Sequence, residues 1–253
     1  MPRLVFLGSG SIIPSKTRFS SGILVQTGRS ENILMDIGPG VIEKLRRLNL
    51  DVTAISYVLV THLHVDHVCD LIPLLKILGL LGGHVEIYGP PGIRVFLDLL
   101  TSDRRLFGYL SDLRCRSVMR VRELWRDSVE LKPGIALRTT PVNHFHGIAF
   151  RLELEGVSIT YSGDSAPDPR LIDLARGTDV LIHECSFPAS RLKGKHTSAE
   201  DLLRLASEIK PKILILTHLY PEMEEALPSY LRIFSEKLTC RIYAPKDLDV
   251  IDV

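Results

Sequence analysis

The chain has 253 residues, a hydrophobic fraction of 45% and a formal net charge of +1. That length fits one large domain with a substantial core, and a near-neutral charge gives bulk electrostatics no role in attracting nucleic acid. No apolar run reaches the ~20 residues needed to cross a bilayer, so no membrane partner is expected.

The N-terminal Leu4–Leu7 reads as a first strand, without the long apolar stretch and small-residue cleavage site of a signal peptide. Gly22–Thr27 and Asn32–Ile37 follow as strands separated by Gly and Ser. Val41–Leu48 has helical periodicity, with Val41, Leu45 and Leu48 on one side. Ile55–Val60 is a buried-looking strand running into Thr61-His62, and Val68–Leu81 reads as one buried helix ended by Gly82-Gly83. Val85–Tyr88 and Ile93–Leu100 give a strand and a helix. Ile135–Pro141, Ile148–Leu154 and Val157–Ser162 read as strands, the last two joined by a hairpin turn at Glu155-Gly156. Leu171–Arg176, Val180–Glu184, Ala199–Ile209, Ile213–His218 and Glu222–Phe234 alternate helix and strand, and Arg241–Ala244 and the C-terminus close with strands. No stretch reads as a linker. Residues 1–253 are expected to form a single α/β domain, an αββα sandwich of two mixed sheets flanked by helices.

The strongest chemical signal is Thr61-His62-Leu63-His64-Val65-Asp66-His67, where a strand ends. Neutral imidazoles and a carboxylate meeting at a strand-to-helix corner suit a divalent metal with an open coordination position. Four scattered cysteines (Cys69, Cys115, Cys185, Cys240) form neither a disulfide framework nor a thiolate zinc site, and point to a reducing, cytoplasmic compartment.

The His-x-His-x-Asp-His pattern resembles the signature of the metallo-β-lactamase superfamily, and the resemblance extends along most of the chain. Asn143-His144, Ser162-Gly163-Asp164 and Leu216-Thr217-His218 each follow a strand and are similar to later motifs of that superfamily. It implies that one metal takes His62, His64 and His144, the other Asp66, His67 and His218, with Asp164 shared. Asp36, in Leu34-Met35-Asp36-Ile37-Gly38, matches an early aspartate that orients a ligand histidine. Two divalent ions are implied, zinc first, with manganese or iron as alternatives. Such a pair would lower the pKa of a bound water and stabilise negative charge, with Asp66 holding or accepting a proton.

Two further segments are similar to ribonuclease Z: Leu181-Ile182-His183-Glu184-Cys185-Ser186-Phe187 and Lys195-His196-Thr197-Ser198-Ala199-Glu200. The resemblance implies that Glu184 raises the pKa of His196, which protonates a leaving oxygen. The glycine-rich Leu7-Gly8-Ser9-Gly10-Ser11-Ile12-Ile13-Pro14 is also similar. The catalytic set is then Asp66, Glu184 and His196, acting on a phosphodiester, either small or RNA, in a homodimer. Two departures stand out. The interval from His144 to Asp164 holds one hairpin, with no room for the tRNA-gripping arm found there in many bacterial members, and Ile37-Gly38-Pro39-Gly40 replaces a Cys-Gly-Glu-Gly-Thr pattern. A smaller phosphodiesterase, such as the cyclic-phosphate enzymes of phosphonate breakdown, fits these departures.

Three alternatives stay open: a tRNA 3′-processing endonuclease proper, a hydrolase of lactones, esters or thioesters, and a non-catalytic metal- or RNA-binding protein. Basic residues gather at Arg191, Lys193 and Lys195, before His196. A second group comprises Arg104, Arg105, Arg114, Arg116, Arg120, Arg122 and Arg126, with Phe107, Tyr109 and Trp125 nearby. This second group reads as a solvated face paired with Asp103, Asp112, Glu123 and Asp127. His84 reads as a surface turn residue, His146 as part of the site's mouth, and Cys185 as core packing.

Overall fold

The computed structural model describes residues 2–253 except 30, 113–117, 155, 190, 192 and 193, together with the backbone alone at 104, 106 and 112. The first half runs β1 (Arg3–Gly8), β2 (Gly22–Gln26), β3 (Asn32–Met35), α1 (Val41–Arg47), β4 (Ile55–Leu59), α2 (Val65–Val68), α3 (Leu71–Leu81), β5 (Val85–Gly89), α4 (Ile93–Ser102), α5 (Arg104–Asp112) and β6 (Met119–Glu123). The second half runs β7 (Ser128–Lys132), β8 (Ile135–Pro141), β9 (Ile148–Leu154), β10 (Val157–Tyr161), α6 (Pro169–Ala175), β11 (Val180–Glu184), α7 (Ala199–Ile209), β12 (Ile213–Thr217), α8 (Pro221–Lys237), β13 (Arg241–Tyr243) and β14 (Val250–Asp252).

These strands form two 7-stranded sheets, ordered β14-β1-β2-β3-β4-β5-β6 and β13-β12-β11-β10-β9-β8-β7. Both are mixed. In the first, β14, β1, β2 and β3 pair antiparallel and β3, β4, β5 and β6 parallel. In the second, β7 to β10 pair antiparallel and β10 to β13 parallel. Alternation along the strands sends one set of side chains between the sheets. Phe6, Ile23, Met35 and Leu59 there pack with Leu137, Phe150, Ile159 and Ile182. The opposite set meets helices. Leu34, Val58 and Ile87 join Leu45, Leu74, Leu78 and Leu97 outside the first sheet, and Leu181, Leu214 and Leu216 join Leu202, Leu205 and Phe234 outside the second. The αββα expectation is thus the observed architecture.

Several details differ from the sequence reading. The helix expected over Val68–Leu81 is split into α2 and α3. Asp70 turns out of it, its N–H donating to the Ile37 carbonyl at 3.0 Å while its carboxylate accepts from Ile42 N–H at 3.0 Å. The strands β6 and β7 were not anticipated. Arg120 and Arg122 alternate with Met119 and Val121 along β6, an edge strand, so a period-two pattern reads as a basic cluster.

The expected pairing of that cluster also needs correction. Asp103 does bind Arg105, at 2.7 Å. Glu123, however, accepts from Gly92 N–H at 2.8 Å, and Asp127 accepts from Trp125 N–H at 2.7 Å, so backbone donors occupy them. Arg114, Arg116, Lys193 and Glu155, and the side chains of Arg104 and Asp112, lie outside the described residues. His84 and His146 are exposed, and Cys185 is buried among the residues outside the second sheet.

Candidate metal centre

Chemistry-bearing residues follow the ends of strands from both sheets: Asp36 after β3, residues 61–67 after β4, His144 after β8, Asp164 after β10, Ser186 after β11 and His218 after β12. Parallel strands with common direction bring such loops to one edge. The seam between the sheets is tied there by hydrogen bonds. Ile148 N–H donates to the Thr61 carbonyl at 2.9 Å, and the Tyr161 hydroxyl donates to Asp36 Oδ2 at 2.9 Å. Gly163 has φ +56°, and a Cβ there would lie 2.7 Å from Thr61 Cβ, so only glycine lets the Asp164 loop sit against the first sheet.

The result is two donor groups whose ligand atoms lie within 4.8 Å of one another: His62, His64, His144 and Asp164 in one, and Asp66, His67 and His218 in the other. The family resemblance implies the same two sets of three with Asp164 shared between them; here Asp164 joins the first set and, with His196 and His218, a further group. Among the described residues, His62 Nε2, His67 Nε2, His218 Nε2 and Asp164 Oδ1 are buried without a hydrogen-bond partner. Buried polar atoms are rarely left so. Converging, unpartnered imidazole and carboxylate atoms fit divalent metal ions, which would satisfy them together.

Outer contacts set the direction of each ring. His67 Nδ1–H donates to Asp36 Oδ2 at 2.7 Å, which turns Nε2 inward. His62 Nδ1–H donates to Thr61 Oγ1 at 3.0 Å, and Thr61 Oγ1 donates to Asp36 Oδ2 at 2.9 Å. His144 Nδ1–H donates to the Lys195 carbonyl at 2.9 Å. His218 Nδ1–H donates to Ser186 Oγ at 3.1 Å, and Ser186 donates onward to Glu184. His64 faces the centre through Nδ1, 3.3 Å from His144 Nε2. Asp36 was expected from sequence. Thr61, Tyr161, Ser186 and the Lys195 carbonyl were not, although Thr61 and Ser186 sit inside the quoted motifs.

Electrostatics match a cation site. Burial and the neighbouring His67 push His62 well below the usual imidazole range, and burial and His144 lower His64. Burial opposes charge on Asp164, yet His218 and His67 outweigh it and hold the carboxyl well below its usual range. Burial likewise opposes charge on Asp66, and His218 and His67 prevail. His67 is buried too, but Asp164 and Asp36 hold a proton on it and raise its pKa well above normal. Carboxylates that hold a proton so firmly attract a divalent cation in its place.

Beside this centre, His196 Nδ1–H donates to Glu184 Oε2 at 3.1 Å, with Oε1 at 3.2 Å. Glu184 is fully buried, and its Oε1 also accepts from Ser165 N–H. Burial works against a charge on His196, but the Glu184 carboxylate dominates and raises its pKa, the direction expected from sequence. The His196 ring stacks on His218, centroids 5.5 Å apart. In the loop before it, Arg191 is paired with Glu222 and Lys195 is exposed.

Residues 31–219 match the family described as the β-lactamase superfamily domain. Ribonuclease Z of Mycobacterium marinum is 30% identical over 244 positions, covering 87% of each chain. Ribonuclease Z of Mycobacterium bovis is 26% identical over 280 positions, covering 100% of this chain and 99% of that one, so the relative carries segments that these 253 residues lack. Among solved structures, the metallo-β-lactamase fold protein YhfI of Bacillus subtilis superposes with a TM-score of 0.81 at 21% identity, covering 99% of this chain and 98% of that one. The short form of human tRNase Z superposes with a TM-score of 0.77 at 22% identity, covering 99% of both. The chain belongs to the metallo-β-lactamase superfamily and, within it, to the ribonuclease Z-like group.

Proposed function

We propose that the protein is a metal-dependent phosphodiesterase of ribonuclease Z type, with His62, His64, His144 and Asp164 around one divalent ion and Asp66, His67, His218 and Asp164 around the other. The observation that carries this reading is the buried Glu184 carboxylate holding His196 at 3.1 Å against the donor groups. Zinc is the favoured ion, supported by imidazole and carboxylate donors without thiolates. When bound, the ions supply a water of lowered pKa and stabilise charge on the substrate.

The chain's own residues do the rest. Asp66, whose Oδ2 lies 3.5 Å from His218 Nε2 within the same donor group, takes up the proton of the attacking water. Glu184 holds His196 by Nδ1 and favours its charged form. The Nε2 proton then passes to the leaving alkoxide, the poor leaving group that makes phosphodiesters slow to hydrolyse. The curated relatives are named ribonuclease Z, which supports RNA as a substrate.

Four further features complete the proposal. The inter-sheet core, shared by both halves of the chain, supports one domain over residues 1–253. Cys69, Cys185 and Cys240 are free, which supports a reducing, cytoplasmic setting. Among the described residues, no helix is long and apolar enough to cross a membrane. Val95 and Leu99, one turn apart on α4 and 62% and 52% exposed, support a homodimer face.

The test is turnover of bis(p-nitrophenyl) phosphate by protein loaded with zinc, manganese or iron. Loss of the acid in His196→Ala should lower kcat by roughly 10²-fold or more on a dinucleotide, whose leaving group is an alkoxide, and far less on bis(p-nitrophenyl) phosphate, whose p-nitrophenolate leaves without a proton, with metal content unchanged. Hydrolysis of lactones or thioesters that survives His196→Ala, without diester turnover, would replace this reading by the ester-hydrolase alternative.

A further inference from the structure

The turn that carries His144 also carries an aromatic ring that the fold leaves uncovered. Phe145 is 67% exposed, although side chains of this kind are usually buried. The exposure does not come from a loose loop. Gly147 N–H donates to the His144 carbonyl at 2.6 Å, Val142 N–H to the Gly147 carbonyl at 3.0 Å and His144 N–H to the Val142 carbonyl at 2.9 Å. His146 takes φ +52° to close the turn, and a Cβ on Gly147 would meet the His144 carbonyl at 3.0 Å. The backbone therefore fixes where the ring is rooted before anything binds.

One side of that ring is set against the metal centre. Its centroid lies 5.0 Å from that of His64, with the planes 33° apart, and 5.9 Å from that of His146. The neighbouring Val65, which follows His64 directly, is 64% exposed and adds apolar surface to the same rim. His196 touches the centre elsewhere, stacked on His218 and 5.0 Å from the ring of His144. The leaving oxygen belongs on the His196 flank, and the Phe145 flank is left for the other ester substituent.

We propose that Phe145 is a stacking plate for the nucleobase carried by the non-leaving ester oxygen. This inference rests on the phosphodiesterase reading. A rigid, open aromatic face beside a phosphate-binding centre accepts any base through its π-face and needs no hydrogen-bond code. The closed turn means that little conformational freedom is lost when the base arrives.

Two substrates with the same leaving group separate the plate from the chemistry: thymidine 5′-(p-nitrophenyl) phosphate and methyl p-nitrophenyl phosphate. Phe145→Ala and Phe145→Leu should raise KM for the thymidine ester about tenfold, the range of one base–aromatic contact. They should leave its kcat, and both constants for the methyl ester, unchanged, and Phe145→Trp should keep the wild-type KM. A readout without turnover is calorimetric binding of thymidine 5′-monophosphate against methyl phosphate to the zinc-loaded protein. Wild type should prefer the nucleotide, and Phe145→Ala should lose that preference. Equal losses on both esters would overturn the plate and make the ring a support for His64. An intact nucleotide preference in Phe145→Ala would overturn it too, as would an altered sedimentation coefficient with the preference intact, which would assign the ring to contact between copies. Failure of the phosphodiesterase reading looks different: neither ester is hydrolysed by the wild type, while the binding pair still decides the plate.

Discussion

At the scale of single residues, Asp36 organises more of the centre than any other side chain outside the donor groups. It is fully buried with φ +57° and accepts from His67, from Thr61 N–H and Oγ1, and from the Tyr161 hydroxyl. Burial and Asp36 itself keep the Tyr161 phenol well above its usual range, so it stays a donor. Asp36→Asn presents an amide nitrogen where a carboxylate accepted. Its measured zinc dissociation constant should rise roughly 10- to 100-fold, the usual effect of losing a contact that orients a ligand. Unchanged affinity, by chelator competition, would remove Asp36 from the site's support. The seven candidate donors and Asp36 could be picked out in the sequence because each stands in a recognisable motif that follows an apolar run. Tyr161 was not, because the hydroxyl's partner is 125 positions away and only the meeting of two sheets brings it near.

At the scale of elements, close backbone approaches set where α2 carries Asp66 and His67. Ile37 N–H donates to the His67 carbonyl at 2.8 Å, and a Cβ on Gly38 would lie 2.1 Å from the Asp66 carbonyl. The Asp66 backbone, and Ser20 Cβ at 2.9 Å, leave no flexible group to yield. Gly38→Ala should therefore cost about 1–3 kcal/mol in denaturant unfolding, the usual range for overpacking, and should also lower metal occupancy by displacing Asp66. A stable, fully loaded variant would show that α2 can shift without consequence. The strand and helix alternation was readable from apolar periodicity, whereas the break at Asp70 and the edge strand β6 were not. Asp70 leaves the helix through contacts with Ile37 and Ile42, and in β6 the residues alternating with arginine are only partly buried.

For the whole molecule, the exposed Val95 and Leu99 offer the test of self-association. Val95→Glu with Leu99→Glu should shift the protein to monomers in sedimentation equilibrium without changing its metal content, because like charges on both copies would face one another across a two-fold contact. A wild type that sediments as a monomer would remove the dimer from the proposal. The two-sheet architecture itself could be anticipated, since the halves repeat strands followed by strand–helix units. Which strands form the edges depends on pairings between distant segments that no local pattern encodes.

One such pairing has a consequence for the order in which the chain can assemble. Residues 250–252 form the edge of the first sheet, where Leu4 faces Ile251. On a ribosome, β1 is made about 250 residues before its outer partner, which follows His218 by 32 residues (250 − 218). The residues of both donor groups precede that partner in the chain, so metal binding does not depend on the closing strand, and until it pairs the opening strand keeps a bare edge, a surface open to wrong partners. Ions bound there would secure the seam between the sheets whether or not the final strand has closed the first one.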